Sequence, residues 1–268
     1  MTLSTMKHLL SFLSDRMDPF LLFAAFFAGL VDAVAGGGGL IQIPALFTTY
    51  SNASPASLLG TNKLASITGT TAAWLRYRHR VIIPWQILKP MLISAFIFSL
   101  CGAGIATQID QKAFRIALPL ILSLLFFYVI TKPNLGVTHT PRHQEKYSFS
   151  VALATGGIIG FYDGLFGPGT GSFLMLAYIR FFGFDFLHAS AATKLVNMMT
   201  NLAALILFAA QGHIWWKIGL TMAIANIVGS WLGSLLALKH GNHFVRPIFI
   251  LVVMALIIKT GIDALSYF

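Results

Sequence analysis

The sequence has little of what soluble enzymes and secreted domains depend on. Its 268 residues include one cysteine, and 10% of them are charged. A single cysteine excludes an internal disulfide and any metal site built from several thiolates. Cys101 lies within an apolar run, so we interpret it as a small buried hydrophobe. The histidines are scattered along the chain, and no catalytic residue, metal site or cofactor is predicted.

The abundance of apolar residues indicates an integral membrane protein. Hydrophobic residues make up 57% of the chain and the mean hydropathy is +0.79, whereas soluble domains are about half apolar and a quarter charged. Crossing a bilayer takes about 20 apolar residues. Runs near this length begin around Pro19, Leu58, Gln86, Ala113, Ser148, Ala189, Ile218 and Val245. They predict an all-α, polytopic protein with about eight spanning helices, the first of which is uncleaved, and with its function inside the membrane.

The net charge of +10 is explained by topology and membrane lipid rather than by nucleic acid. Lys and Arg fall mostly between the apolar runs, where basic loops face the cytoplasm and contact anionic lipids. The loop from Arg76 to Lys89 is therefore predicted to be cytoplasmic. So is the longest polar stretch, residues 132–147, which we interpret as a linker between a first transmembrane repeat, residues 1–131, and a second, residues 148–268.

The two halves of the chain repeat one another. A shift of 131 positions superimposes Asp32 on Asp163 and Lys63 on Lys194 without a gap. The same register aligns Gly36 with Gly167, Gly38 with Gly169, Trp85 with Trp216, and Gly102 with Gly233. Each half thus carries one acid, one glycine cluster and one base in apolar surroundings. Because an ionised side chain at the membrane centre costs about 2.5 to 3.5 kcal/mol on insertion scales, such residues are functional candidates.

The segments that follow the glycine clusters leave two topologies open. Residues 36–50 and 172–182 are too short to span the bilayer comfortably. If they are re-entrant, each half crosses four times and the repeats are parallel; if they cross, each half crosses five times and the repeats are inverted. Charge bias does not separate the two, and length favours the first. We therefore predict about four spanning helices per half, with Gly-rich broken or re-entrant segments that line a cavity or are buried in protein.

Helical spacing places polar side chains beside each buried base. The two polar stripes, each at i, i+3 and i+7, are Lys63, Ser66 and Thr70, and Lys194, Asn197 and Asn201. Two interpretations stay open for the charges. Asp32 and Asp163 pair with the Lys residues and lock the helices, or the Lys residues and the N-termini of the broken helices hold an anion. In the second case the Asp residues balance charge or carry protons.

The ordered motifs resemble those of one family of membrane proteins. They are Asp32, Gly36 to Gly39, Pro44 and Gly60-Thr61-Asn62-Lys63, then Asp163-Gly164-Leu165-Phe166-Gly167-Pro168-Gly169-Thr170-Gly171 and Ala192-Thr193-Lys194. In this combination the chain is similar to the sulfite exporter TauE/SafE family, the toluene sulfonate uptake permeases, from about residue 20 to residue 265. The resemblance implies a permease of the bacterial inner membrane. Such a permease moves sulfur-containing anions or related organic acids by secondary transport.

The resemblance also implies a substrate region between the halves. Its residues would be Gly36, Gly37, Gly38, Gly39, Asn62, Lys63, Gly167, Gly169, Thr170, Gly171, Thr193 and Lys194, to which the polar stripe adds Asn197. Asp32 and Asp163 are the candidate relay for protons or charge. The expected partners are a small anion and membrane lipid, with a homodimer as one option for the assembly.

Two other functions remain open at this stage. A passive anion channel is one of them, because broken helices and basic groups also suit a pore. An intramembrane aspartyl protease is the other, because two embedded acids faintly resemble its paired carboxylates. Two Lys residues at equal spacing would add nothing to that protease chemistry.

Overall fold

A computed structural model of the chain describes residues 18–82, 84–108, 145–245, 247–248, 250–251 and 254. In these ranges every regular element is an α-helix, which confirms the predicted class for this part of the chain. The main helices are α1 (Pro19–Ala35), α2 (Gly39–Thr49), α3 (Pro55–Tyr77), α4 (Trp85–Ala106), α5 (Glu145–Leu165), α6 (Thr170–Phe182), α7 (Phe186–Ala210) and α8 (Trp216–His240).

Capping residues explain where several helices begin. Asp18 precedes α1 and its Oδ1 accepts a hydrogen bond from the Phe20 amide at 2.9 Å, with Pro19 in the first helical turn. Ser54 caps α3 and Asp185 caps α7 in the same way. Such side chains replace the hydrogen bonds that the first N–H groups of a helix lack. The starts of these helices therefore follow from local sequence.

The helices recur at the distance of the sequence repeat. Helices α1 to α4 belong to the first half and α5 to α8 to the second. α3 begins at Pro55 and α7 at Phe186, while α4 begins at Trp85 and α8 at Trp216. Both pairs of starts differ by 131 positions. The predicted linker, residues 132–147, lies almost wholly outside the described residues, so the boundaries of the two repeats stay predictions.

The two halves are interlocked. α1 packs against α8 and α5 against α4, so the first main helix described in each half lies on a helix of the other half. At these contacts a Cβ on Gly233 would collide with the backbone oxygen of Leu30, and a Cβ on Gly102 with that of Phe161. Leu30 and Phe161 are themselves 131 positions apart. The two contacts are therefore equivalent, and both depend on small residues that let helix backbones touch.

Contacts along the helices reveal the relative direction of the halves. α3 and α7 are repeat counterparts, and Gly60 near the start of α3 lies against Phe208 near the end of α7. At the other end, the Tyr77 hydroxyl lies 3.5 Å from Ser190 Oγ. α3 is thus antiparallel to its own counterpart. Repeat counterparts that run antiparallel are related by a pseudo-two-fold axis perpendicular to the helices. This agrees with the predicted topology in which the two repeats are inverted.

The first two helices nevertheless turn back on themselves. Leu21 at the start of α1, Leu46 near the end of α2 and Leu58 at the start of α3 belong to one apolar cluster. The end of α2 therefore lies at the level where α1 began. The structure combines a returning pair of helices with inverted directions, whereas a returning pair was expected to go with parallel repeats. The halves are inverted because α4 and α5 run in the same direction, with Gly156 beside Met91 and Gly164 beside Ser99. The second half therefore starts at the face where α4 starts, which is opposite to the face where α1 starts.

Three helices of the described chain, α4, α7 and α8, are long and apolar enough to cross a membrane. α1, α2 and α6 are shorter apolar helices. At about 1.5 Å per residue, the 11 residues of α2 reach about halfway through a hydrocarbon core of about 30 Å. The predicted span that starts around Ala113 lies outside the described residues. The number of about eight spans therefore stays a prediction.

Cys101 is exposed, which shows that the prediction of a buried side chain was wrong. It lies on the same face of α4 as the exposed side chains of Ile97, Phe98 and Ile105. Such an apolar face suits lipid tails, which are as apolar as the side chains themselves. The apolar run predicted the helix but could not indicate which of its faces is covered by protein.

Basic side chains gather at one face of the molecule. α3 and α8 run in the same direction, because Thr61 lies beside Trp215 and Gly69 beside Asn226. Their ends share a face with the start of α4, the end of α6 and the start of α7. The residues there are Arg76, Arg78, Arg80, Lys89, Arg180 and Lys239. We refer to this side as the basic face and to the side where α8 begins as the opposite face.

The close contact between α4 and α5 generates the first prediction. Gly102→Ala places a Cβ against the backbone of Phe161, so we expect a loss of about 1 to 3 kcal/mol from overpacking. Thermal unfolding of the purified protein in detergent measures it. Gly104→Ala is the matched control two residues along α4, because its Cβ would have only Leu207 Cδ1 nearby, at 3.9 Å. Equal stability of the two variants would contradict the close helix contact.

Candidate functional site

Glycines end the helices at the centre of the molecule. Gly36 has a φ of 73° and caps α1, donating its N–H to the Asp32 carbonyl at 2.9 Å. In the second half, Gly167 and Gly169 have φ values of 88° and 80°. Other residues rarely adopt this left-handed conformation, so glycine is needed to turn the chain here. The turn between α5 and α6 is held further by the Tyr162 hydroxyl, which donates to the Pro168 carbonyl at 2.6 Å.

The two breaks touch each other. Gly36 packs directly on the backbone of Gly171, where neither position leaves room for a Cβ. A Cβ on Gly39 would lie 3.3 Å from Pro168 Cα. Ser172 Oγ donates to the Ala35 carbonyl at 3.0 Å. The sequence-predicted glycine clusters of the two halves are therefore brought together, backbone against backbone.

Lys63 forms the first of two buried ion pairs. Its Nζ lies 2.7 Å from Asp163 Oδ2, and the two side chains are 2% and 5% exposed. Gly167 lies beside the pair, because a Cβ there would be 3.5 Å from Lys63 Nζ. This base is held between the acid and the helix break of the other half.

Lys194 forms the second pair with Asp32. Its Nζ lies 3.1 Å from Asp32 Oδ2 and also donates to the Asp32 backbone carbonyl. The Lys194 side chain is fully buried, whereas that of Asp32 is 15% exposed. The Gly38 amide donates to Asp32 Oδ1 at 3.3 Å. Asp32 is therefore tied both to the other half and to the start of α2.

Each ion pair joins opposite halves of the chain. Lys63 of the first half meets Asp163 of the second, and Lys194 of the second meets Asp32 of the first. The pairs are related by the repeat, and their formal charges sum to zero. Because removing either partner would leave a buried charge uncompensated, the two pairs hold the halves together.

A polar cavity lies between the pairs. It is small, with a free volume of about 20 Å³, which is room for about one or two water molecules. The residues that line it come from six helices and the two breaks; they are Asp32, Gly36, Gly39, Asn62, Lys63, Ser66, Thr70, Asp163, Gly167, Thr170, Gly171, Asn197 and Asn201. Both halves contribute, so the cavity exists only where the halves meet.

Most of the predicted site residues line this cavity, but not all of them. Gly37, Gly38, Gly169, Thr193 and Lys194 are absent from its lining. Gly38 and Lys194 still act on it through Asp32, whereas Thr193 is buried in α7 away from it. The lining also includes three residues that the predicted substrate region omitted: Ser66, Thr70 and Asn201. Their signal was present in the sequence, because all three belong to the polar stripes that carry the Lys residues. Any role of the predicted residues in substrate binding stays a prediction.

Two amide groups at the cavity have unused hydrogen-bonding capacity. The buried Oδ1 atoms of Asn62 and Asn197 have no hydrogen-bond partner. Buried polar atoms of native proteins are nearly always satisfied by protein, water or a ligand. An amide can also turn to present its N–H₂ group instead of its oxygen. The cavity is therefore equipped to bind something polar. Among the described residues, no three His, Cys, Asp or Glu side chains are grouped so as to hold a metal ion.

The fold and this site define a polytopic membrane protein with a polar cavity between two inverted sets of helices, the class of membrane transporters. The family described as sulfite exporter TauE/SafE matches residues 21–260. The chain therefore belongs to this family, which confirms the resemblance noted in the sequence. It is a multi-pass integral membrane protein of bacterial type, and a transporter rather than an enzyme.

Curated relatives agree with this assignment. A probable membrane transporter protein of Sinorhizobium is 37% identical over 251 residues, which cover 94% of this chain and 95% of the relative. The probable membrane transporter protein YfcA of Escherichia coli is 35% identical, over 87% of this chain and 85% of its own length. A probable membrane transporter protein of Haemophilus influenzae is 35% identical, over 89% and 92%.

The ion pairs generate the second prediction. Lys63→Met leaves the Asp163 carboxylate buried without a counter-charge, and we expect a loss of about 3 to 5 kcal/mol in stability. Adding Asp163→Leu should recover most of that loss, because it removes the unpaired charge. The stabilities of the single and double variants, measured by thermal unfolding in detergent, form a double-mutant cycle. Losses that simply add in the double variant would show that the two side chains do not interact.

Proposed function

We propose that the protein is a secondary transporter for small anions, with sulfur-containing anions such as sulfite or organosulfonates as the substrate class. The substrate binds in the cavity between the two halves. The single observation that carries the proposal is the position of two buried bases from opposite halves: Lys63 lines the polar cavity, and Lys194 lies behind it, bonded to the lining residue Asp32. The family description, sulfite exporter, supports the choice of sulfur oxyanions.

The chemistry of the lining suits an oxyanion. Lysine supplies a positive charge with three hydrogen-bond donors, and hydroxyl and amide groups supply neutral ones. The neutral donors at the cavity are Asn62, Ser66, Asn197 and Asn201, while the Thr70 and Thr170 hydroxyls already donate to backbone carbonyls. The breaks before α2 and α6 add the free N–H groups and the positive dipole of two helix starts. An oxyanion can therefore replace its hydration shell on several sides at once.

Charge balance favours coupling to protons. Lys63, Lys194, Asp32 and Asp163 sum to zero before the substrate enters, so one bound monoanion leaves a net negative charge in a poorly solvated site. Unpaired charge inside a membrane protein is costly. A proton on one Asp would restore neutrality and free its Lys to bind the anion. Asp32, the more exposed of the two acids, is the better placed to take it.

The basic face points to the cytoplasm in this proposal, because positively charged segments stay on that side of bacterial membranes. The ion pairs argue against the alternative of an intramembrane aspartyl protease. Its mechanism needs two carboxylates that share a proton, whereas each acid here lies against a Lys of the other half. A passive channel differs from a transporter in kinetics, and transport measurements decide between them.

Uptake by proteoliposomes is the direct test. Wild-type protein should take up labelled sulfite or a small sulfonate with saturation, and Lys63→Gln and Lys194→Gln should each lower the rate by at least about tenfold, the effect of about 1.4 kcal/mol. Lys239→Gln is the matched control, since it removes an exposed charge at the basic face. Wild-type rates in both site variants would remove the proposal. Uptake that rises linearly without saturation would favour a channel.

Proton coupling has its own test. A pH gradient that is acidic on the side of substrate addition should accelerate wild-type uptake, because substrate and proton enter together. In Asp32→Asn the residual uptake should no longer respond to the gradient, since the amide cannot carry the proton. The measurement compares initial rates with and without the gradient at equal substrate concentration. A response retained in both Asp32→Asn and Asp163→Asn would exclude these residues as the proton site.

A further inference from the structure

We propose that the two ion pairs are the two gates of the central cavity, one toward each face of the membrane. The inference rests on the proposed function, since a gate requires a transported substrate. It assigns Lys194 and Asp32 to the gate on the side of the basic face. It assigns Lys63 and Asp163 to the gate on the opposite side.

The antiparallel packing of α3 and α7 separates the two pairs along the membrane normal. Lys63 lies about one turn from Gly60, which marks the opposite face, while Lys194 lies about one turn from Ser190, which packs at the basic face end of α3. Gly60 and Tyr77 are 17 positions apart, or about 25 Å at about 1.5 Å per residue. The two Lys residues are therefore displaced toward opposite ends of the helix pair.

The polar lining lies between these two levels. From Lys63, Ser66 and Thr70 follow along α3 in the direction of the basic face. From Lys194, Asn197 and Asn201 follow along α7 in the direction of the opposite face. All four of these polar residues line the cavity. A substrate bound among them has one ion pair on each side.

A packed side chain lies behind each pair and completes each closure. Beyond Lys194, the fully buried Tyr77 donates a hydrogen bond to the Ala33 carbonyl at 2.9 Å and contacts Ser190. Beyond Lys63, the fully buried Phe208 packs against Gly60. Tyr77 and Phe208 are repeat counterparts, 131 positions apart. The two closures are thus built on one plan.

The pairs must open one at a time. Each pair joins the two halves, so a movement of one half against the other that opens a path on one side has to separate that side's charges. Opening both would leave four charges unpaired within the membrane, each at a cost. An anion that reaches one Lys offsets the loss of its Asp partner, so substrate binding helps to open only the gate it meets. Strict alternation of access follows from this cost.

The test uses a cysteine reporter inside the cavity and needs no knowledge of the substrate. In a Cys101→Ser background, Ser66→Cys is labelled with a membrane-impermeant maleimide, applied either to intact cells or to inverted vesicles. Adding Asp32→Asn should raise the labelling rate from the basic face by about tenfold, as expected for a shift of about 1.4 kcal/mol toward the open form. Adding Asp163→Asn should raise it by a similar factor from the opposite face.

Lys194→Gln and Lys63→Gln break the same two pairs from the other partner and provide a second set of variants if an Asp variant does not fold. Labelling in detergent gives the full signal and shows that the reporter is present. Increased labelling from the same face in both gate variants, or no increase in either, would overturn the assignment. If the two variants raise labelling from different faces but the protein takes up no sulfite, the gates stand and the proposed substrate is refuted. The failure of the gates and the failure of the proposed function are therefore distinguishable.

Discussion

The pairing of buried charges across the two halves is the constraint on which the structure depends. Lys63, Lys194, Asp32 and Asp163 lie within helices that are otherwise apolar, where each unpaired charge would cost about 2.5 to 3.5 kcal/mol on insertion scales. Neither half neutralises its own charges, because each Lys meets the Asp of the other half. The halves must therefore associate to bury these groups. The interlocking of α1 with α8 and of α5 with α4 brings the four charged side chains within reach.

Glycine makes this pairing geometrically possible. Gly36 and Gly171 let the two helix breaks touch without side chains between them, and Gly36 and Gly167 adopt the left-handed conformation that turns the chain. The broken backbone exposes N–H groups at membrane depth, which is tolerated where they line a polar cavity. The same glycines thus end the helices, set the spacing of the halves and leave the polar space between the ion pairs. Structure and proposed transport depend on one set of contacts.

Local features of this fold could be predicted from the sequence, and long-range ones could not. Helical periodicity correctly placed Ser66 and Thr70 beside Lys63, because residues one and two turns apart share a face. Thr193 was expected at the site from the family motif Ala192-Thr193-Lys194, but adjacent residues of a helix point about 100° apart, and Thr193 falls outside the cavity lining. The choice of Asp partner for each Lys was beyond the sequence, because it depends on helix direction. That direction is set by packing between segments more than 100 residues apart.

The proposed anion, held between two ion pairs, would explain why a transporter maintains two acids and two bases in its membrane core. The pairs keep the empty site neutral, and either pair can yield to the substrate without exposing the other. The most direct measurement is anomalous diffraction from crystals grown with selenite, a heavier analogue of sulfite. We expect a selenium peak in the cavity among Asn62, Ser66 and Asn197, placed so that a selenite oxygen accepts a hydrogen bond from Lys63 or Lys194. Selenium peaks confined to the surface of the protein, with the cavity empty, would contradict a central anion site.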